Sequence, residues 1–225
     1  MRRDLAVIIP AYNAQRTIAK IVVETRKQLE PVIVVDDGSK DSTGVVAEAV
    51  GAIVLRHAKN RGKGAALKTA FAWALENGCE AVITLDADLQ HLPAEIPRFL
   101  EQYARGGEDL IIGGRAHLFH DMLPRRRNAN RFSAWIIAKF SGAPITDAQS
   151  GFRLYSSRLL RGVKLHTDGF DMESEVIVLA GKRGFRIVTI PIDLGFVDGL
   201  RTSHYKPLKD TLRIAWTVTR ARFFW

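Results

Sequence analysis

The chain has little cysteine and no long apolar run, and each of these shortages excludes a class of protein. A single cysteine, Cys79, among 225 residues cannot form an internal disulfide or a multi-cysteine zinc site. No stretch approaches the ~18 apolar residues that cross a bilayer. The first apolar run ends at Pro10, too early for a signal peptide. Because hydrophobic residues make up 47% of the chain, we expect a folded α/β protein. The single cysteine favours a reducing compartment.

The excess positive charge is confined to two segments. The formal net charge is +9, of which residues 120–140 carry +4 and residues 200–225 carry +5, so the rest of the chain is neutral. A basic total alone is compatible with nucleic acid, an anionic membrane or a phosphorylated substrate. Two local basic segments on a neutral body favour a localised anionic partner, and we expect no nucleic acid.

The first half alternates short apolar runs with helical periodicity, as in a parallel sheet with crossover helices. It predicts strands at 5–9, 32–35, 53–55, 81–85 and 110–112, and helices at 14–29, after 41, at 62–77 and at 93–103. The strands lack polar alternation, which is typical of a sheet covered on both faces. The less regular second half predicts strands at 151–155 and 185–190, and helices at 125–140, 172–182 and from 205 to the end. The predicted fold class is α/β, a mostly parallel sheet flanked by helices with a basic amphipathic C-terminal segment.

Four of the predicted strands end in polar clusters, at residues 10–13, 36–39, 86–90 and 113–115. Each cluster alone is typical of a helix cap or a turn. Parallel strands place all four at one edge of the sheet, where open α/β sheets bind their ligands. Together the clusters therefore indicate a functional site.

The cluster Asp86-Ala87-Asp88 carries the most specific chemistry. Two carboxylates separated by one residue can bind one Mg²⁺ or Mn²⁺ and leave positions for phosphate oxygens. Asp37 could accept hydrogen bonds from a base or ribose, and Tyr12 could stack on a base. The glycine patterns of dinucleotide-binding proteins and P-loop proteins are missing, which argues against a dehydrogenase or a P-loop ATPase.

Six segments in register resemble the family 2 glycosyltransferases of GT-A fold: IIPAYN (8–13), VVDDGSKD (34–41), NRGKGAAL (60–67), TLDADLQHLP (84–93), GGR (113–115) and DAQSGFR (147–153). Within that family they are most similar to the branch of dolichyl-phosphate mannose synthases and other polyprenyl-phosphate glycosyltransferases. The resemblance implies a GT-A catalytic domain at residues 1–204. Residues 205–225 would form a basic amphipathic helix, packed on this domain or lying at the membrane surface.

The resemblance also implies a role for each motif. The nucleotide-sugar donor would contact Pro10, Tyr12, Asn13, Asp37, Lys63, Asp86, Ala87, Arg201 and Lys206. The divalent ion, Mg²⁺ or Mn²⁺, would be held by Asp86, Asp88 and Gln90. The catalytic group would comprise Asp88, Arg115, Asp147 and Gln149, and the acceptor phosphate would meet Arg115, Arg126, Arg127 and Arg131. His204 stands where the family often has lysine, and Lys206 is the expected substitute.

The expected reaction is an inverting hexose transfer from a GDP- or UDP-linked sugar to a polyprenyl or dolichyl phosphate. A phosphate monoester is largely dianionic at neutral pH, so it can attack without a protein base. A hydroxyl acceptor, glycolipid or saccharide, would instead need a base, for which Asp147 is the candidate. A non-enzymatic basic binder is the weaker alternative. A nucleotidyltransferase is disfavoured, because no glycine-rich loop follows the first strand.

The expected location is cytoplasmic, peripheral at the inner face of the membrane, on an anionic lipid surface. The C-terminal segment carries basic residues beside apolar and aromatic ones, and the last three residues, 223–225, are all aromatic. Aromatic rings favour the membrane interface, and each nearby basic residue contributes ~1 kcal/mol of attraction to an anionic leaflet. The competing interpretation is that this helix packs on the catalytic domain.

Overall fold

A computed structural model describes residues 5–115, 117, 124–195 and 207–225, without the side chains of 124–126, 129 and 207–212. The strands of this part are β1 (Leu5–Ala11), β2 (Val32–Asp36), β3 (Ile53–Arg56), β4 (Ala81–Thr84), β5 (Leu110–Gly114), β6 (Arg153–Ser156) and β7 (Ile187–Pro191). The helices are α1 (Ile18–Arg26), α2 (Thr43–Ala49), α3 (Lys63–Glu76), α4 (Ile96–Arg105), α5 (Pro124–Ser141), α6 (Ser157–Gly162), α7 (Met172–Lys182) and α8 (Pro207–Phe223).

All the strands belong to one sheet with the order β3-β2-β1-β4-β6-β5-β7. Strand β6 is antiparallel to both of its neighbours, β4 and β5, and the other pairs are parallel. The prediction of a mostly parallel α/β sheet is confirmed. Since β1, β2, β4 and β5 run in the same direction, their four polar ends do lie at one edge.

The sheet is covered on both faces, which explains why its strands lack polar alternation. In β1, Ile8 belongs to one buried cluster with residues of α3 and α7, whereas Val7 and Ile9 belong to a second cluster with residues of α1 and α4. Successive side chains of a strand point to opposite faces, so both must be apolar. The edge strands β3 and β7 are less completely covered, and Ile53 in β3 is 40% exposed.

Several helices begin at residues other than the predicted ones because of local hydrogen bonds and turns. Helix α1 begins at Ile18, not at 14, because the preceding residues form a turn in which the Thr17 hydroxyl donates to the Ala14 carbonyl. Pro93–Glu95 is a 3₁₀ turn before α4. The sequence analysis missed the short helix α6, whose first turn is capped by the Ser156 hydroxyl accepting from the Leu159 N–H.

Helix α8 packs against α7 and α5. Its buried residues Ile214 and Val218 join the core. Asp171 accepts a hydrogen bond from Thr217 Oγ1 at 2.8 Å and forms an ion pair with Arg213, whose Nε lies 2.9 Å from Asp171 Oδ1. Its outer side chains remain exposed. In the described part of the chain, no helix has both the length and the apolarity needed to span a membrane.

Candidate active site

The turn after β4, the metal turn (residues 86–90), carries the two predicted metal ligands, Asp86 and Asp88. Leu89 has a positive φ of 65°, and the Gln90 N–H donates to Asp88 Oδ1 at 3.0 Å. Burial raises the pKa of Asp88 to about 6, and the negative charge of Asp86 adds to the rise. Asp86 behaves oppositely: burial alone would raise its pKa, but the adjacent Lys63 ammonium lowers it to about 2. The turn therefore places Asp86, which is ionised at neutral pH, beside Asp88, whose ionisation is opposed by the negative charge of Asp86.

This donor set fits a divalent cation. A cation between Asp86 and Asp88 would remove the repulsion that raises the pKa of Asp88. Among the residues that the structure describes, no three His, Cys, Asp or Glu side chains converge on a metal position. The two carboxylates and Gln90 would thus form only part of a coordination sphere. Mg²⁺ is commonly held in that way, by one or two carboxylates with phosphate oxygens and water.

Lys63, at the start of α3, forms ion pairs with two carboxylates. Its Nζ lies 2.6 Å from Asp86 Oδ1 and 2.9 Å from Glu173 Oε2. Burial would lower the pKa of Lys63, but the two carboxylates raise it above its usual value. Glu173, in the first turn of α7, is buried and was not singled out by the sequence analysis. Lys63 therefore carries a fixed positive charge at the metal turn.

The loop before β6 packs directly against this ion pair. A Cβ placed on Gly151 would lie 2.6 Å from Asp86 Oδ2 and 2.7 Å from Lys63 Nζ. The Gly151 carbonyl accepts a hydrogen bond from Thr84 Oγ1 at 2.7 Å. A side chain at 151 would therefore have to displace the side chains of Asp86 and Lys63, and the loop is fixed relative to β4.

Arg115 and Asp147 form a second buried pair at the same edge of the sheet. Arg115 donates from Nε to Asp147 Oδ2 at 2.7 Å and from Nη2 to Oδ1 at 3.2 Å, and its backbone N–H donates to Oδ2 at 3.1 Å. Asp147 also accepts from the Gln149 N–H at 3.0 Å. Burial would raise the pKa of Asp147, but the Arg115 guanidinium holds it below its usual value. Asp147 is therefore a poor proton acceptor.

Arg153 is fully buried and holds the loop between these two pairs. Its guanidinium donates to three backbone carbonyls, of Ala148 at 2.8 Å, Ser150 at 2.7 Å and Glu173 at 2.5 Å. Arg153 belongs to the DAQSGFR motif, but no role was predicted for it. An arginine inside the predicted strand 151–155 is the signal that could have identified it.

His91 is another residue that the sequence analysis missed. It is buried, and its Nδ1 lies 3.2 Å from the Asp86 N–H. Burial lowers the pKa of His91 to about 4, so its neutral ring accepts this hydrogen bond at Nδ1. His91 therefore supports the backbone of the metal turn rather than pairing with its carboxylate.

On the predicted nucleotide side, Asp37 is engaged within the protein. Its carboxylate accepts from the Arg61 N–H at 2.9 Å and the Gly62 N–H at 2.8 Å, and lies 2.6 Å from His57 Nδ1. These contacts order the loop leading into α3. Its predicted contact with a base or ribose stays a prediction.

The loops after β1 and β2 are also joined. Asn13 receives a hydrogen bond from the Lys40 N–H at 2.8 Å and donates its own N–H to Ser39 Oγ at 2.9 Å. Half-buried Pro10 and Tyr12 lie beside it, at the same sheet edge as the metal turn. Three predicted nucleotide contacts are thus close together in the fold.

The predicted acceptor arginines are only partly described. Arg127 is half-buried and its Nε has no hydrogen-bond partner within the described structure, whereas Arg131 is exposed. The Gln149 amide lies 3.4 Å from Ser133 Oγ and so connects the Asp147 loop to α5. The Arg126 side chain, Arg201 and Lys206 lie outside the described residues, as does the predicted replacement of His204 by Lys206. Ala87 is half-buried within the metal turn.

The sheet has the architecture of the GT-A fold. The fold is similar to the crystal structure of glucosyl-3-phosphoglycerate synthase from Mycobacterium tuberculosis in complex with Mn²⁺, UDP and phosphoglyceric acid. The TM-score is 0.78 at 20% identity, covering 99% of this chain and 79% of that one. At this identity the likeness establishes the fold alone.

The sequence comparisons identify the family. Residues 6–163 match the family profile described as Glycosyl transferase family 2, and the chain belongs to this family. The undecaprenyl-phosphate mannosyltransferase of Micrococcus luteus is 30% identical over 198 residues, covering 82% of this chain and 81% of that protein. The UDP-N-acetylglucosamine–dolichyl-phosphate N-acetylglucosaminyltransferase of Methanococcus voltae is 28% identical, covering 83% of each. The protein is therefore a glycosyltransferase, and the resemblance seen in the sequence is confirmed.

Proposed function

We propose that the protein transfers a hexose from a GDP- or UDP-linked sugar to a polyprenyl or dolichyl phosphate, with inversion and with Mg²⁺ or Mn²⁺. The observation that carries the proposal is the Arg115–Asp147 pair. Asp147 was the candidate base for a hydroxyl acceptor, but it is buried, bound to a guanidinium and lowered in pKa. Because Asp147 is engaged in this way, an acceptor that is already ionised is favoured, and the relatives that act on lipid phosphates support the same choice.

The bond changes need no proton transfer. A phosphate oxygen of the acceptor forms a bond to the anomeric carbon while the bond from that carbon to the diphosphate oxygen breaks. The electron pair leaves with the nucleoside diphosphate. Attack occurs opposite the leaving group, so the anomeric configuration inverts. The protein has to orient the two substrates and neutralise their charges.

The residues divide into a donor side and an acceptor side. Asp86, Asp88 and Gln90 would hold the divalent ion, which when bound supplies positive charge to the leaving diphosphate. Lys63 lies beside them as a second positive charge. On the acceptor side, Arg115 is held rigid by Asp147, and Arg126, Arg127 and Arg131 would meet the acceptor phosphate. Domain bounds of 1–204 and 205–225 remain part of this proposal.

The deciding experiment compares two lipid acceptors that differ in one group. Polyprenyl phosphate and the matching polyprenol are incubated with a panel of nucleotide sugars and Mn²⁺, and the products are read by mass spectrometry. The proposal expects a glycosyl-phosphoryl-polyprenol from the phosphate and no product from the alcohol. A product from the alcohol alone would establish the hydroxyl-acceptor alternative.

We further propose that the protein works at the inner face of an anionic membrane, bound through α5 and α8. A groove between these helices is lined by apolar side chains such as Phe132, Ile136, Ile214 and Val218. Large exposed aromatic side chains lie on the same two helices or directly follow α8: Phe132, Trp135, Trp216, Phe223 and Phe224. Cations accompany the rings, with Lys139 Nζ 5.6 Å from the Trp135 ring centre. Aromatic rings and cations together favour an anionic lipid interface.

The membrane proposal is tested by sedimentation with anionic and neutral vesicles. Deleting residues 217–225 would remove the buried residues Val218 and Ala221, so point variants are preferable. Phe223→Ser with Phe224→Ser should weaken binding to anionic vesicles. Val45→Ser, which alters a 65% exposed apolar residue on α2, is the matched control. Equal, weak binding to both vesicle types, unchanged in the double variant, would contradict the proposal.

A further inference from the structure

A buried ammonium shared by two carboxylates lies next to the metal turn. Lys63 Nζ contacts Asp86 at 2.6 Å and Glu173 at 2.9 Å. The other oxygen of Glu173, Oε1, is buried without a hydrogen-bond partner in the described structure. Among the residues that the structure describes, Lys63 is the ion-pair partner of the Glu173 carboxylate at this site.

Asp86 faces competing demands in a metal-dependent transferase. It has to bind the divalent ion, yet it also neutralises the buried Lys63. If Asp86 were the only carboxylate beside Lys63, binding of Asp86 to the cation would leave the buried Lys63 ammonium without a paired charge, which is strongly unfavourable. Lys63 would then either compete with the cation for Asp86 or move away from its position.

We propose that Glu173 is a positioning residue for the transfer: it keeps Lys63 in place and charged when a divalent cation takes Asp86. This inference rests on the proposed metal-dependent function. Lys63 then presents its charge to the donor diphosphate without competing for the metal ligand. Glu173 also adds a negative charge near the cation. Both effects strengthen cation binding.

Glu175 provides a matched control on the same helix. It is fully buried, like Glu173, but it accepts from the backbone N–H groups of His166 at 2.6 Å and Thr167 at 2.9 Å. A loss of buried negative charge from α7 is therefore common to Glu173→Gln and Glu175→Gln. Only the first substitution changes the partners of Lys63.

The test is a titration of the full chain with Mn²⁺ alone, followed by electron paramagnetic resonance. Glu173→Gln should raise the Kd for Mn²⁺ about tenfold, whereas Glu175→Gln should leave it within about twofold, the range expected when no metal-site contact is lost. In a Lys63→Met background the effect of Glu173→Gln should shrink to about threefold or less, because only the long-range charge effect remains. Circular dichroism confirms that each variant is folded.

Several results would overturn the inference. A wild-type Kd in Glu173→Gln, an equal effect in both backgrounds, or absence of saturable Mn²⁺ binding by the wild type would each do so. If Glu173→Gln does not fold, Glu173→Asp, which keeps the charge but draws it back from Lys63, is measured instead. An unchanged Kd there also refutes the idea. No lipid is present in the titration, so failure of transfer to polyprenyl phosphate would be recognised separately.

Discussion

Replacing Gly151 with alanine tests whether close packing on the metal turn by the loop before β6 matters for transfer. This loop, residues 147–152, is the acceptor-side loop of the proposed reaction. The new Cβ would lie 2.6 Å from Asp86 Oδ2 and 2.7 Å from Lys63 Nζ. Carbon needs about 3.5 Å from such atoms, so the side chains or the loop must move by about 0.9 Å. The φ of Gly151 is not in the left-handed region, and alanine therefore adds no backbone strain.

The expected effects differ in size between stability and activity. Overpacking of this kind costs about 1–3 kcal/mol in the free energy of unfolding. Misplacement of catalytic groups by about 1 Å can cost about 100-fold in rate. Because Thr84 holds the Gly151 carbonyl, the strain should fall on Asp86 and Lys63. We therefore expect kcat for transfer to fall by about 100-fold, with a higher Mn²⁺ requirement.

The assay pairs urea denaturation with initial rates at saturating donor and acceptor. Gly78→Ala is the control, since Gly78 has a φ of +75° and open space around the new Cβ. That variant should lose about 1 kcal/mol of stability through its strained backbone and keep the wild-type kcat. If Gly151→Ala retained the wild-type kcat and Mn²⁺ requirement, the packing of Gly151 would have no part in the reaction.

The remaining predictions concern other carboxylates. Asp88→Asn should nearly abolish transfer while the protein stays folded, and wild-type rates in excess EDTA would contradict the metal requirement. Asp147→Asn should lower the free energy of unfolding by about 3 kcal/mol, because Arg115 loses its buried partner; Arg115→Met in that background should recover part of the loss in urea denaturation, and additive losses would count against pairing. Burial would raise the pKa of Asp109, but its hydrogen bond with Arg158 lowers it, so Asp109 stabilises the fold above its unfolded pKa. Asp109→Asn should cost about 2 kcal/mol at pH 7, and the difference from wild type should shrink as the pH falls below about 4; a difference independent of pH would refute this.

Much of the sheet could be predicted because its strands are continuous apolar runs. The run Val32–Val35 is buried on both faces in the structure, as its composition predicts. The direction of a strand could not be predicted in this way. The sequence of Arg153–Tyr155 indicates a strand, but nothing within it reveals that it is antiparallel to its neighbours. Strand pairing depends on partners far away in the chain.

The candidate site was predicted where its residues follow strands and missed where contacts are long-range. Asp86 and Asp88 stand out because a paired carboxylate motif follows a strand. Glu173 reads as an ordinary acidic residue in the first turn of a helix, where it favours the helix dipole. Its role depends on Lys63, which is remote in sequence and adjacent only after folding.

The reversed strand β6 has a consequence for substrate spacing. Thr84, the last residue of β4, is paired with Arg153, the first of β6, so the metal turn and the acceptor-side loop leave the sheet side by side. Neighbouring strands lie about 4.8 Å apart, and this spacing is fixed by backbone hydrogen bonds. The sheet thus fixes the distance between the metal turn and the acceptor-side loop. If the proposed function holds, loops on either side can change in sequence, and with them the choice of sugar or lipid, while the distance between the donor side and the acceptor side stays constant.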